Sequence, residues 1–208
     1  MPATTRKLAA IVFTDIVGFT KLTSKNEPAA LKLLEIQREL LKPIVKSYNG
    51  KWLKEIGDGL LLSFKTNIDA VECAIKIQGE VGSVDNLNLR IGIHQGEVVF
   101  QGGDVIGDDV NIASRIEPFS APGGIAVSDR VNVSLERDPD FKTVYLSKPQ
   151  FKGVSQQVSV YCIVSHGLPE TEMSQVSAKL ETSKKNGFKW NTMRIVGVVA
   201  SLVGLIAL

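Results

Sequence analysis

Cysteine is scarce in this sequence, with two residues among 208. Cys73 and Cys162 lie far apart in the chain, and both stand among apolar residues. We therefore expect two buried, reduced thiols, which fits a cytosolic compartment.

A strong net charge is also missing, because the formal charge at pH 7 is only +2. Bulk electrostatics therefore gives no reason to expect a nucleic-acid partner. Hydrophobic residues make up 44% of the chain and charged residues 22%, which favours a packed core over disorder. The length suits one domain of ordinary size with appendages.

No long apolar run follows the basic N-terminal residues, so we expect no secretory signal peptide. The C-terminal stretch "IVGVVASLVGLIAL" is different, because it carries no charge and follows the basic residues Lys184, Lys185, Lys189 and Arg194. We interpret 192–208 as the start of a transmembrane helix, although the run is shorter than the roughly 20 residues that span a bilayer. The basic flank predicts membrane anchoring with everything before it in the cytoplasm. A buried or amphipathic terminal helix is the alternative.

The rest of the chain alternates between strand and helix patterns and predicts an α/β or α+β sheet domain over residues 1–165, followed by a polar and basic linker at 166–191. Residues 8–14 predict a strand, and 26–48 predict a helix that Pro43 should interrupt. "YNGKWLKEIGDGLLLSF" predicts a hairpin that turns at "GDG". "LNLRIGIHQGEVVF" predicts two strands that meet near Gln95 and Gly96, and "GDDVNIASRIEPF" predicts a helix.

Two carboxylates stand where strands end. Asp15 ends the first strand, and Asp58 occupies the hairpin turn. Two nearby carboxylates repel and need a cation to remain ionised together. A hard dication such as Mg²⁺ prefers oxygen ligands and shares them with phosphates. Because aspartate is common in turns and helix caps, a purely structural role is the alternative.

The segment after Asp15 strengthens the metal interpretation. In "IVGFT", backbone N–H groups of Gly18, Phe19 and Thr20 can face an anion at the start of a helix. A metal site beside such an anion nest is the outline of a polyphosphate site.

A second polar set lies on the predicted helix in "GDDVNIASRIE". Asn111 and Arg115 are four residues apart and so share one helix face. Arg offers a planar fork for phosphate, and Asn can donate to and accept from a sugar. Asp108 and Asp109 are interpreted as caps and dipole partners of this helix, not as ligands. A merely solvated helix face is the alternative.

Four motifs, "FTDIVGFT", "LKEIGDGLL", "IGIHQGEVV" and "GDDVNIASRIE", together resemble the catalytic domain of class III nucleotidyl cyclases, adenylyl cyclase type, in order and spacing. The resemblance spans roughly residues 7 to 162. It implies an α+β, ferredoxin-like antiparallel sheet with helices on one face and an added hairpin. It also implies a homodimer with active sites at the interface.

The resemblance also assigns roles to single residues. It implies two Mg²⁺ or Mn²⁺ ions per site, held by Asp15, Asp58 and the backbone carbonyl of Ile16. Asn111 would orient the ribose, and Arg115 would steady charge at the α-phosphate. The remaining implied residues are the adenine-selecting pair Lys54 and Asp104, and a phosphate contact from Lys152.

The choice of Lys54 and Asp104 as contacts to adenine has a physical reason. Lys54 can donate to N1 of adenine, and Asp104 can accept from its exocyclic amine. Guanine reverses both groups, so it would leave two buried polar groups mismatched. Glu55 lies next to Lys54, and a register error of one residue would place an acid there instead.

The resemblance predicts conversion of ATP to 3′,5′-cyclic AMP and pyrophosphate, with metal-assisted attack of the ribose 3′-hydroxyl on the α-phosphate. His94 is the nearest candidate base in sequence, but its place at a strand end favours a structural role. Three alternatives stay open. They are a guanylyl cyclase, a non-catalytic nucleotide-sensing domain of the same fold, and a diguanylate cyclase, which only "GGD" at 102–104 suggests.

Overall fold

The computed structural model describes residues 5–101, 104–151, 154 and 156–176. The strands among these residues are β1 (Thr5–Ile16), β2 (Lys51–Ile56), β3 (Gly59–Phe64), β4 (Leu89–Gln101), β5 (Asp104–Ile106), β6 (Ile125–Ser128), β7 (Thr143–Ser147) and β8 (Val160–Ile163). The helices are α1 (Phe19–Lys25), α2 (Glu27–Ser47), α3 (Asn67–Val81), α4 (Asp108–Ile116) and α5 (Asp129–Leu135). A 3₁₀ turn over Glu117–Phe119 continues α4, and a second covers Met173–Gln175.

The described strands form one mixed sheet in the order β2-β3-β1-β4-β6-β8-β7, with β5 pairing to β4. The prediction of an antiparallel sheet is wrong at one place, because β4 and β6 run parallel. The chain between these two strands passes through β5 and α4, and such a crossover allows parallel pairing. The other strand pairs described are antiparallel.

Helices cover both faces of the sheet, so the expectation of helices on one face is also wrong. Alternate residues of β1 point to opposite faces. Val12 packs with residues of α2, α3 and α5 such as Leu41, whereas Ile11 packs with Ala113 of α4. The face that carries α4 is called the α4 face below.

The sequence predicts a break within β4 and another within α2, and both elements are continuous. β4 runs as one strand from Leu89 to Gln101 instead of two, because it pairs with β1 over β1's whole length. α2 continues through Pro43 to Ser47. Leu41, Ile44 and Val45 are buried on this last part of α2, and their packing outweighs the hydrogen bond that proline lacks.

The hairpin, α3 and α4 form where the sequence predicts them. Among the described residues, no helix is long and apolar enough to cross a membrane. The predicted transmembrane segment 192–208 lies outside the described residues, as does most of the linker at 166–191.

Candidate active site

The two predicted metal-binding carboxylates meet at one end of the sheet. Asp15 is the penultimate residue of β1, and Asp58 lies in the turn between β2 and β3. The Asp58 carboxylate accepts a hydrogen bond of 3.0 Å from the backbone N–H of Ile16. Desolvation by burial and then repulsion from Asp58 raise the pKa of Asp15. The sequence expectation that both carboxylates converge is therefore met.

Two polar contacts fix the turn that carries Asp58. The amide of Gln37, a buried residue of α2, donates to the Asp58 carbonyl at 3.3 Å. The hydroxyl of Thr14 accepts from the Leu60 N–H at 3.2 Å. A side chain at Gly59 would come within 2.7 Å of the Thr14 carbonyl, so glycine is what allows this close approach. The turn is held rigidly against β1, as a metal ligand requires.

Arg90 and Glu117 complete the charge cluster, and no motif in the sequence assigns a role to either residue. Arg90 lies directly opposite Asp15 in the β1–β4 register. Its guanidinium is 3.4 Å from the Asp15 carboxylate and 3.1 Å from that of Glu117. The register could have indicated Arg90, because an arginine beside a carboxylate at a strand end is a candidate phosphate ligand.

Glu117 is buried, and burial is the largest cause that raises its pKa to about 8. Repulsion from Asp15 and Asp58 raises the pKa further, and the Arg90 guanidinium only partly opposes these effects. Asp15 and Glu117 thus both contact the Arg90 guanidinium, and Asp58 lies close enough to raise the pKa of each of them. The excess of negative charge at this end of the sheet favours a cation.

The donor set fits a hard dication that shares its ligands with a nucleotide. Asp15 and Asp58 supply carboxylate oxygens, and the strain of their repulsion is what a cation relieves. In the described part of the chain, no group of three or more His, Cys, Asp or Glu side chains could hold a metal ion alone. Mg²⁺ commonly binds one or two carboxylates and takes further ligands from phosphates and water.

The helix α4 presents the second polar set. Asn111 is exposed, and Arg115 is half-buried on the same helix. The Nη1 atom of Arg115 is buried and has no hydrogen-bond partner among the described residues. An unpartnered buried guanidinium nitrogen fits an anionic ligand. Ile112, Ala113 and Ile116 pack inwards and hold α4 on the sheet.

The two polar sets lie on different elements of the chain. Among the described residues, no hydrogen bond or ion pair joins Asp15 or Asp58 to Asn111 or Arg115. Both sets nevertheless belong to the α4 face, because Arg90 connects Asp15 to Glu117, which follows α4 directly.

The predicted base-selecting residues lie on β2 and β5. Lys54 is exposed on β2. Its neighbour Glu55 binds Arg38 of α2 at 2.7 Å, so the acid is engaged on the helix side of the strand. Neighbouring strand residues point to opposite faces, which favours Lys54 over Glu55 as the base contact. Asp104 begins β5 and pairs with Gln101 of β4, and its side chain is not among those that the structure describes.

The remaining predicted residues are placed only in part. Gly18 has a left-handed backbone (φ 79°) and precedes α1, where Phe19 and Thr20 form the first turn. Lys152 lies outside the described residues. His94 is wholly buried, and burial lowers its pKa, so the preference for a structural role fits its position.

Comparison with known proteins agrees with this geometry. The fold and the paired carboxylates define a nucleotidyl cyclase domain. The family model for the adenylate and guanylate cyclase catalytic domain matches residues 1–165, and the chain belongs to this family.

Curated relatives include a putative adenylate cyclase of Rhizobium meliloti, which is 32% identical over 75% of this chain and 28% of its own length. A pH-sensitive adenylate cyclase of Mycobacterium tuberculosis is 29% identical over 73% of this chain and 39% of its own length. The chain therefore spans less than half the length of these relatives.

Solved structures give the same family. An adenylate/guanylate cyclase/hydrolase from Silicibacter pomeroyi matches with a TM-score of 0.72 and 31% identity, over 81% of this chain and 100% of that chain. The adenylyl cyclase CyaB from P. aeruginosa matches with a TM-score of 0.71 and 26% identity, over 78% and 96%. The guanylyl cyclase Cya2 matches with a TM-score of 0.69 and 25% identity, over 81% and 97%.

Proposed function

We propose that this domain is an adenylyl cyclase that converts ATP to 3′,5′-cyclic AMP and pyrophosphate. The observation that carries the proposal is the placement of Asp15 and Asp58 side by side next to Arg90, on the face of the sheet that α4 covers. Two acids and one guanidinium suit a triphosphate with its cations.

The carboxylate half of the α4 face, which consists of Asp15, Asp58 and Arg90, binds and orients the triphosphate. Asp15, Asp58 and the Ile16 carbonyl would hold Mg²⁺ or Mn²⁺ ions, two per site. Such ions lower the pKa of the ribose 3′-hydroxyl and neutralise phosphate charge when bound. Arg90, which pairs with Asp15 at the same end of the sheet, would also contact the phosphates. The backbone N–H groups of Gly18, Phe19 and Thr20, together with Lys152, provide further phosphate contacts in this proposal.

The α4 half of the same face, which consists of Asn111 and Arg115, acts on the reacting atoms. Asn111 holds the ribose so that its 3′-oxygen lies in line with the α-phosphorus, which is an effect of orientation. Arg115 donates to the α-phosphate oxygens, where negative charge develops. The 3′-oxygen forms a bond to phosphorus while the bond to the pyrophosphate oxygen breaks, pyrophosphate leaves, and the hydroxyl proton passes to water.

Lys54 and Asp104 select the base in this proposal. Curated adenylate cyclases support adenine, whereas the similarity to the guanylyl cyclase Cya2 keeps guanine as the second candidate. The engagement of Glu55 with Arg38 favours adenine, because it leaves Lys54 as the residue that can face the base.

Two copies of the chain would form the working enzyme. Within one chain, no hydrogen bond or ion pair among the described residues joins Asp15 or Asp58 to Asn111 or Arg115. A C2 homodimer can bring the carboxylates of one copy to α4 of the other, and it would then hold two complete sites. The predicted C-terminal segment would anchor this dimer to a membrane, with the catalytic domain in the cytoplasm.

A product assay tests the proposed function. Purified protein is incubated with ATP or GTP and Mn²⁺ or Mg²⁺, and cyclic nucleotide is measured. We expect cyclic AMP from ATP, and its loss in Asp15→Asn with the fold retained by circular dichroism. Binding of ATP without any cyclic product would contradict the proposal and support a nucleotide-sensing domain.

A base-swap variant tests the choice of purine. Lys54→Glu combined with Asp104→Cys replaces the donor and acceptor that suit adenine, and we expect a shift of kcat/KM towards GTP. The control is Lys51→Glu, an exposed residue of the same strand, which should leave the ratio of ATP to GTP turnover unchanged. An unchanged ratio in the double variant would refute the assigned pair.

A further inference from the structure

The carboxylate of Asp109, the second residue of α4, lies against the sheet instead of capping its helix. Gly107 precedes α4, and no side chain in the described part of the structure caps the helix start, so the interpretation of Asp108 as a cap is wrong. The Asp109 side chain is 14% exposed, and its Oδ2 accepts the backbone N–H of Glu97 on β4 at 2.7 Å. The interpretation of Asp109 as a helix cap is therefore wrong.

Three further side chains converge on the other oxygen of the same carboxylate. His94 Nε2 lies 3.1 Å from Oδ1, and the Gln156 amide donates to Oδ1 at 3.2 Å. Arg130 of α5 approaches Oδ1 at 3.6 Å and also donates to the Gln95 carbonyl and to Gln156. One carboxylate thus connects β4, α4, α5 and the segment that leads into β8.

The backbone of β4 is shaped to receive this carboxylate. A Cβ atom at Gly96 would lie 2.0 Å from the Asp109 Cγ, so the carboxylate occupies the space of a side chain at position 96. His94 is wholly buried beside it, and because an ionised carboxylate only accepts hydrogen bonds, the contact with Oδ1 requires the tautomer that carries its proton on Nε2. The first turn of α4 is thus tied to the buried His94 and to partners on β4, on α5 and before β8.

We propose that Asp109 is a positioning residue that sets where Asn111 and Arg115 stand. Both residues follow Asp109 on the same short helix, two and six positions further on, so a shift of the first turn would move both. Small misplacements of reacting groups lower rates strongly while leaving binding nearly intact. This inference rests on the proposed cyclase function.

Asp109→Asn is the test variant, because asparagine keeps the shape of the side chain but places an amide where one oxygen accepts hydrogen bonds. Asp108→Asn is the matched control. The substitution removes the same charge from the same helix turn. Asp108 is exposed, and its side chain has no hydrogen bond or ion pair in the described part of the chain.

Steady-state kinetics with MnATP supply the first readout. We expect kcat of Asp109→Asn to fall about tenfold, as for a lost hydrogen bond to a charged group, with KM for ATP changed less than about twofold. Asp108→Asn should match the parent in both constants. A parental kcat in Asp109→Asn, or a change confined to KM, would overturn the inference.

Hydrogen exchange of the metal-free protein supplies a readout that does not depend on activity. Amides of α4 should exchange faster in Asp109→Asn than in the parent, and at the parental rate in Asp108→Asn. Unchanged exchange in Asp109→Asn would also overturn the inference. A parent that makes no cyclic nucleotide would instead refute the proposed function, while the exchange comparison would still test the anchoring of α4.

Discussion

The charge balance around Arg90 is the feature that decides the chemistry of single residues. Asp15 and Glu117 both lie within ion-pair distance of this guanidinium, and Asp58 adds a third carboxylate nearby. Burial and mutual repulsion raise the pKa of both Asp15 and Glu117. Below about pH 8 the metal-free protein is therefore expected to hold a proton on Glu117.

The pH dependence of stability tests the state of Glu117. Its folded pKa of about 8 lies above the ordinary value of 4.5, so the folded state holds a proton that the unfolded state releases. The stability from this proton is complete below about pH 4.5 and is lost as the pH rises through about 8. We expect the unfolding temperature of Glu117→Gln to fall less between pH 5 and about pH 8 than that of the parent protein.

Thermal unfolding without metal is the measurement, and Glu39→Gln is the control because Glu39 is exposed on α2. Glu39→Gln should reproduce the pH profile of the parent. An equally steep profile in Glu117→Gln would show that Glu117 is already ionised in the folded protein.

The sequence could predict the residues whose chemistry is visible in a short motif. Asp15 and Asp58 were expected to meet, and they do so because a strand end and a hairpin turn share one edge of the sheet. Arg90 and Glu117 could not be found in this way. Arg90 resembles any polar residue of an alternating strand, and only the β1–β4 register places it opposite Asp15.

At the scale of elements, β4 is the strand on which the α4 face is built. On that face Arg90, Gly92, His94 and Gly96 each meet α4 or the 3₁₀ turn that follows. A Cβ atom at Gly92 would lie 2.3 Å from the Glu117 backbone nitrogen, and one at Gly96 would overlap Asp109. Glycine at these positions lets the helix and the turn approach the strand closely.

A pair of alanine variants tests this close approach. Gly92→Ala should lower the free energy of unfolding by about 1–3 kcal/mol or more, because the backbone of Glu117 must move. Gly79→Ala should instead raise it by about 0.5–1 kcal/mol, because Gly79 lies within α3 and a Cβ there meets nothing within 4 Å. Urea denaturation measures both. A stable Gly92→Ala protein with parental activity would contradict the close packing.

Local patterns predicted the type of most elements but not their continuity. "LNLRIGIHQGEVVF" contains a Gln-Gly pair that resembles a turn, yet pairing with the long β1 keeps β4 extended. Pro43 predicts a break, yet buried neighbours carry α2 past it. In both cases tertiary packing outweighs a local signal. Short sequence segments contain no information about that packing, so they cannot predict it.

At the scale of the molecule, the α4 face divides into a carboxylate half and an α4 half. The fold could be predicted as a cyclase domain from four motifs, and the family match agrees. The parallel β4–β6 pair and the covering of both faces could not, because both depend on the path of the chain between motifs. The domain boundary at residue 165 and the membrane segment stay predictions.

The proposed homodimer would combine the carboxylate half of one copy with the α4 half of the other. A chain whose carboxylates and α4 residues act on different nucleotides needs a partner for each. Asp15→Ala removes a residue of the carboxylate half, and Arg115→Ala removes a residue of the α4 half. Each homodimer would then lack one half at both sites, whereas a mixed dimer would keep one complete site.

Mixing these two variants is the most direct test of a cyclase with a shared site. Each variant alone should form almost no cyclic AMP from MnATP. The equimolar mixture, given time to exchange subunits, should regain about a quarter of the parental rate, because half of the dimers are mixed and each of these has one complete site of two. A mixture as inactive as its components, with exchange verified by differently labelled subunits, would contradict the account.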